Sequence, residues 1–148
     1  MQRDIRHRWF YQHPPQRVWE FLTDPVLLKE WLTENNFKAE IGHAFQFKTK
    51  AKPGFDGNIY CEVLELIPRK RLSYSWKGGP GNGKVTLDSV VTWTLTEKDG
   101  GTELLLEHTG FNGIGNFITY LIMNKGWSVI LKKRLSKILT DHHEVASR

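Results

Sequence analysis

The apolar positions of the chain change period along its length, and the changes divide it into elements. Ile5 to Tyr11 reads as a first strand, ended by His13-Pro14-Pro15. Pro15 suits the first turn of a short helix over Gln16 to Thr23, whose apolar side is Val18, Trp19, Phe21 and Leu22. Asp24-Pro25 starts a second short helix ending near Trp31, and Asn35-Asn36 reads as a break. From Phe37 the period is two. Phe45, Phe47 and Thr49 alternate with Gln46 and Lys48; Ile59, Cys61 and Val63 with Tyr60 and Glu62. Leu72, Tyr74 and Trp76 alternate with Arg71, Ser73 and Ser75; Leu87, Ser89, Val91, Trp93 and Leu95 with Asp88, Val90, Thr92 and Thr94. Leu104, Leu106 and His108 alternate with Glu103, Leu105 and Glu107. The apolar pair Val63-Leu64 breaks the alternation and predicts a bulge. Turn residues separate the runs at Lys52–Gly57, Pro68–Lys70, Gly78–Gly83 and Lys98–Gly101.

After Gly110–Gly115 the period becomes helical, from Asn116 to Asp141. Trp127, Ile130, Leu131, Leu135 and Ile138 fall on one stripe at ~100° per residue, with Leu139 at its edge and Lys132, Lys133, Ser136 and Lys137 opposite. At ~1.5 Å per residue this helix is nearly 40 Å long, against a width just under 30 Å for six strands. The pattern therefore predicts an α+β fold: a six-stranded, mostly antiparallel sheet, two short helices after strand 1, and a long C-terminal helix covering one face. A second stripe, Ile118, Ile122 and Val129, lies ~180° from Trp127 and needs explanation. A break near Gly126 or local cover by neighbouring segments is preferred to a two-fold packing of two molecules, so a monomer is expected rather than a homodimer.

Composition narrows the classes. The chain has 148 residues, 39% hydrophobic and 25% charged, which predicts one globular domain over residues 1–148. Its single cysteine, Cys61, permits no internal disulfide, and no run reaches the ~18 apolar residues of a membrane span. No apolar segment follows Met1-Gln-Arg-Asp-Ile-Arg6, so no signal peptide is read and a cytoplasmic location is expected. The net charge of +5 is mixed with acids along the chain, and nucleic acid is not an expected partner.

Motifs for catalysis or cofactors are weak. Gly78-Gly-Pro-Gly-Asn-Gly-Lys84 matches part of a phosphate-binding loop, but Val85 stands where Ser or Thr should hold magnesium, and the segment joins two strands. His142 and His143 are adjacent, so they point ~100° apart on a helix and do not chelate together. Neither a metal site, a cofactor nor a catalytic residue is assigned, and Cys61 reads as a structural thiol.

Several segments carry a resemblance. Arg17-Val-Trp-Glu-Phe-Leu-Thr-Asp-Pro25, followed by Trp31, resembles the N-terminal signature of the START-like (SRPBCC) superfamily. Val63–Pro68, Leu72–Trp76, Val91–Leu95, His108–Phe111 and Gly126-Trp127 resemble its branch similar to the C-terminal domain of the activator of heat-shock protein 90 ATPase. The resemblance spans nearly the whole chain and implies a helix-grip fold, with a curved sheet gripping the long helix around a cavity. It implies little about activity, since that superfamily hosts lipid carriers, aromatic-ligand binders and cyclases.

Within such a cavity the inward parity of Phe45, Phe47, Tyr74, Trp76 and Trp93, faced by Trp127 and Leu131 from the helix, admits two readings: plain core, or a wall for a planar apolar molecule. His108 and Arg134 interrupt apolar rows. Each is either structural, with His108 hydrogen-bonded to a turn and the Arg134 head in water, or a donor to a ligand oxygen. The expected function is binding of a small hydrophobic, including aromatic, molecule at these nine residues without catalysis. The alternatives are a chaperone-associated stress protein, suggested by the family alone, and a polyketide cyclase-like enzyme with His108 or Tyr74 as proton donor. The named chaperone activity involves a further domain, for which 148 residues leave no room.

Overall fold

The computed structural model describes the backbone of residues 2–146 and the side chains of residues 3–142. Strand β1 (Gln2–Tyr11) is followed by α1 (Pro15–Thr23) and α2 (Pro25–Trp31). The Asp24 carboxylate separates the two helices by accepting from the backbone N–H of Val26 at 2.8 Å, a cap for α2. The Trp31 indole N–H then closes the pair on the Phe21 carbonyl, at 2.8 Å.

Next come β2 (Glu34–Asn35), β3 (Ala44–Lys48), β4 (Asn58–Ile67), β5 (Arg71–Gly78), β6 (Leu87–Lys98) and β7 (Gly101–Asn112). They form one antiparallel sheet in the order β1-β7-β6-β5-β4-β3-β2. The sheet has seven strands where the alternation predicts six. The additional one is β2, which pairs Glu34 with Lys48 and Asn35 with Phe47 where the sequence suggests only a break. Two residues are too few to show a period. The predicted bulge is present: Val63 faces Tyr74, and Glu65 faces the adjacent Ser73, so Leu64 is the extra residue. Glu65 beyond the bulge pairs with Arg71.

Two glycines shape the end of the sheet where β5 passes to β6. A Cβ on Gly79 would lie 2.2 Å from the Lys84 carbonyl, so the β5–β6 connector closes only with glycine there. Gly110, at φ +111°, would place a Cβ 2.8 Å from the Asp88 carbonyl.

The long helix is continuous but not uniform. It runs as α3 (Gly115–Val129), a π-helical segment (Ile130–Leu135) and α4 (Ser136–Ala146). Its buried residues are Trp127, Leu131, Leu135 and Leu139, spaced by four. In a straight α-helix that spacing drifts by ~40° per step. A π-turn advances each residue by roughly 80°, and six such residues remove the accumulated drift. Tyr11 fixes the segment's place: its hydroxyl donates to the Leu131 carbonyl at 2.7 Å, joining β1 to the helix.

Candidate functional site

The residues of the predicted wall come together, but mostly as packed core. Phe45, Phe47, Tyr74, Trp76, Trp93, His108, Trp127 and Leu131 are all buried. Their rings meet edge-on or tilted: Phe45 with Tyr74 at 5.2 Å between centroids, Phe47 with Trp76 at 5.3 Å, Trp76 with Trp127 at 5.4 Å, and Trp93 with Trp127 at 5.5 Å. Such contacts add to area burial and leave no room for a guest among them.

His108 is inside, and neither expected role describes it. The Trp127 indole N–H donates to its Nδ1 at 3.1 Å, so the proton of the neutral ring lies on Nε2. Nε2–H then donates to Ser89 Oγ at 2.8 Å, and Ser89 donates on to the Trp76 carbonyl at 2.7 Å. The chain is complete, and burial drives the His108 pKa down to about 3. A ring neutral at ordinary pH with both nitrogens engaged has no hydrogen bond left for a ligand. The Tyr74 hydroxyl accepts from the Trp93 indole at 2.8 Å, and burial raises its pKa. Burial raises that of Cys61 too, consistent with a structural thiol.

Arg134 does not face the interior. It is exposed and borders a shallow outer groove with Leu121, Ile122, Lys125 and Val129. The π-segment is the reason: it recentres the buried stripe on Leu131 and Leu135 and leaves Arg134 about a quarter-turn away. Ile130 and Ile138 become half-buried flanks. The His142 side chain is docked rather than free, bonded to Glu30 at 2.7 Å and edge-on to Phe21 at 5.3 Å. The side chain of His143 lies outside the described residues. Among the described residues no group of His, Cys, Asp or Glu is arranged to hold a metal ion.

Open space lies to one side of the aromatic core, between α3 and the two loops that close the sheet. A cleft of about 330 Å³ is lined by Lys52, Phe55, Ile59, Trp76, Leu87 and Met123, with Asn116 and Thr119 at its rim. It adjoins a second space of about 320 Å³, which shares Lys52, Ile59, Trp76 and Met123 and reaches Trp127, Ile130 and Leu32. Of the nine expected residues, Trp76 and Trp127 border this space. Ile59 and Leu87 carry the inward parity that could have marked them. Lys52, Phe55 and Met123 carry no such mark, because loop residues and the apolar flank of a helix have no period pointing to a cavity. The Gly78–Gly83 segment joins β5 to β6 rather than a strand to a helix, and the first turn of α3 comes up beside that connector, where the Asn116 amide donates to the Thr86 carbonyl at 3.0 Å.

The comparisons agree with this architecture. The family model for Activator of Hsp90 ATPase homolog 1-like protein matches residues 12–140. The crystal structure of MLL2253 from Mesorhizobium loti is similar at 34% identity and a TM-score of 0.84, over 94% of this chain and 98% of that one. DynU16, a protein in the dynemicin biosynthetic locus, is similar at 25% identity and a TM-score of 0.74, over 93% of this chain and 47% of that one. The Aha1 dimer from Colwellia psychrerythraea shares the fold at 22% identity and a TM-score of 0.69, over 87% of this chain and 90% of that one. No curated protein matches. With the family model covering most of its length and the helix-grip architecture in place, the chain belongs to the Activator of Hsp90 ATPase homolog 1-like family of the START-like superfamily.

Proposed function

We propose that this protein binds a small, mostly apolar organic molecule in the cleft between α3 and the loops at Lys52–Gly57 and Gly78–Gly83, holding it without turning it over. The observation that carries this reading is the cleft itself. Its volume, about 330 Å³ with a neighbouring 320 Å³, falls in the range of small-molecule sites, ~300–1,000 Å³. Its lining is largely apolar and partly aromatic, with Trp76 and Phe55 as flat surfaces and Lys52, Thr86, Asn116 and Thr119 as the polar side chains. The mutual contact of the core rings favours the cleft over the core as the site. The engagement of both His108 ring nitrogens supports retention over acid–base turnover.

Native mass spectrometry of the purified protein, together with a thermal-shift screen of planar apolar compounds, tests the reading. A co-purified or stabilising molecule displaced by substitution at the cleft supports it; a broad screen without a shift overturns it.

Family membership supports a second reading, association with a chaperone. It rests on the family alone, and a pull-down with the chaperone tests it.

A further inference from the structure

Helix α3 is apolar on two sides. One side carries Trp127 into the core. On the other, Ile118 and Ile122 are each 64% exposed and Val129 is 42% exposed. The helix does not break at Gly126, and no neighbouring segment covers this face. Both preferred sequence explanations therefore fail, and the second stripe is a real surface. Ile114, 94% exposed, continues it at the helix N-terminus. A contiguous exposed apolar face on a helix marks a surface with a partner.

The charges around the stripe say what kind. Between Glu107 and Asp141 the chain has no acidic residue, and it has five cations: Lys125, Lys132, Lys133, Arg134 and Lys137. Lys125 and Arg134 border the outer groove together with Leu121, Ile122 and Val129. The Arg3 guanidinium lies over the Phe117 ring at 4.6 Å, adding a cation from β1, and Lys132 lies over Trp9 at 5.2 Å. An apolar strip with a basic border fits a surface that is apolar beneath and anionic above. It does not fit a second copy of itself: a two-fold pairing of α3 on α3 would bring these cations together with no acid in the segment to offset them.

We infer that the outer face of α3 docks on an anionic lipid bilayer, with Ile118, Leu121, Ile122 and Val129 entering the headgroup boundary and Lys125 and Arg134 meeting lipid charge. Ile122 borders both the outer groove and the cleft, so docking sets the cleft's mouth against the membrane. The inference does not require the cleft to hold a ligand.

The test is vesicle flotation. Vesicles of phosphatidylcholine with roughly 30% phosphatidylserine should carry the protein, pure phosphatidylcholine should not, and binding should collapse at ~0.5 M salt. I118E/I122E and K125E/R134E should each bind at least ~10-fold less. R69E/K70E has the same charge change as K125E/R134E, but at the end of the β4–β5 hairpin away from the cleft, and should bind within ~2-fold of the wild type. All four altered positions on α3 and its extension are exposed, and unchanged melting temperatures establish that the variants fold. Absence of flotation with the anionic vesicles overturns the inference. So does equal loss in R69E/K70E, which would mean attraction by net charge alone, or undiminished binding by I118E/I122E. A wild type that sediments as a dimer dissociated by Ile122→Glu, without vesicle binding, assigns the face to a second copy and also overturns it.

Discussion

Trp127 and His108 are joined side chain to side chain, indole N–H to imidazole Nδ1 at 3.1 Å, and this bond ties the long helix to β7 at the centre of the core. It fixes the tautomer of a fully buried histidine and directs that ring's remaining proton to Ser89 on β6. With Ser89 donating on to the Trp76 carbonyl of β5, four elements share one uninterrupted polar chain inside an aromatic core. Its dependence on proton concentration can be measured.

The His108 pKa is depressed to about 3, against about 6.5 for an unperturbed imidazole. The unfolded chain therefore binds a proton that the folded one refuses between those values. Stability is fully present above pH ~6.5 and falls as pH drops toward 3, at up to about 1.4 kcal/mol per unit. Urea denaturation at pH 6.5 and 5 should show a loss of roughly 2 kcal/mol in the wild type and a markedly smaller one in His108→Asn. Equal slopes in the two proteins would show that His108 is not the linked group.

Trp127→Ala should cost about 3–5 kcal/mol, the range for deleting a large buried aromatic. Trp127→Phe should recover part of that but strand the His108 Nδ1 acceptor, leaving a deficit of about 1–3 kcal/mol. Lys133→Ala, on the exposed side, should stay within ~0.5 kcal/mol. Chemical denaturation checks all three.

Tyr11→Phe removes one of two donors to the Leu131 carbonyl, which keeps the Ser136 hydroxyl at 3.4 Å, and should cost about 0.5–1.5 kcal/mol, the net contribution of one hydrogen bond. Hydrogen exchange should quicken around Ile130–Leu135 first. Unchanged protection there would mean the π-segment is held by packing alone.

Met123 borders both parts of the cleft, so Met123→Trp should fill it. In the wild type, a bound planar compound at a hundredfold excess over its Kd should stabilise by ~2.7 kcal/mol and quench tryptophan emission. The filled variant should show neither effect while folding normally. An undiminished response would place the binding elsewhere.

ATP with magnesium should bind no better to the wild type than to Gly83→Ala/Lys84→Ala. Calorimetry that finds specific micromolar binding lost in that variant would overturn the reading of Gly78–Lys84 as a plain connector.

The strands are legible in the sequence because each buries one face, so parity alone names Phe45, Tyr74, Trp93 and His108 as interior. The bulge at Leu64 is legible for the same reason, as a single lapse in parity. The π-segment leaves a fainter trace. The strict four-residue spacing of Trp127, Leu131, Leu135 and Leu139 exceeds 3.6, and it signals a widened turn only if taken more seriously than the competing stripe through Ile130, Arg134 and Ile138. The Ser89–His108 bond had a sequence sign too, since both are polar interruptions of inward rows on adjacent strands. The cleft has none. It is created by how far two loops stand from a helix, a distance that depends on backbone paths and not on residue type.

The pairing of β1 with β7 joins the first and last strands in chain order. Ile5 stands opposite His108, so the first strand made finds its partner only after every other strand exists. Until then β1 is an unpaired segment tethered to a growing sheet, and the neighbouring edge of β7 is open as well. Long loop closure of this kind slows folding, toward the ~ms–s range of proteins dominated by non-local pairing. Because Tyr11 lies at the end of the same strand, the bond that seats the long helix on the sheet also waits for this closure. One long-range pairing thus both closes the sheet at β7 and places the residue that seats the long helix.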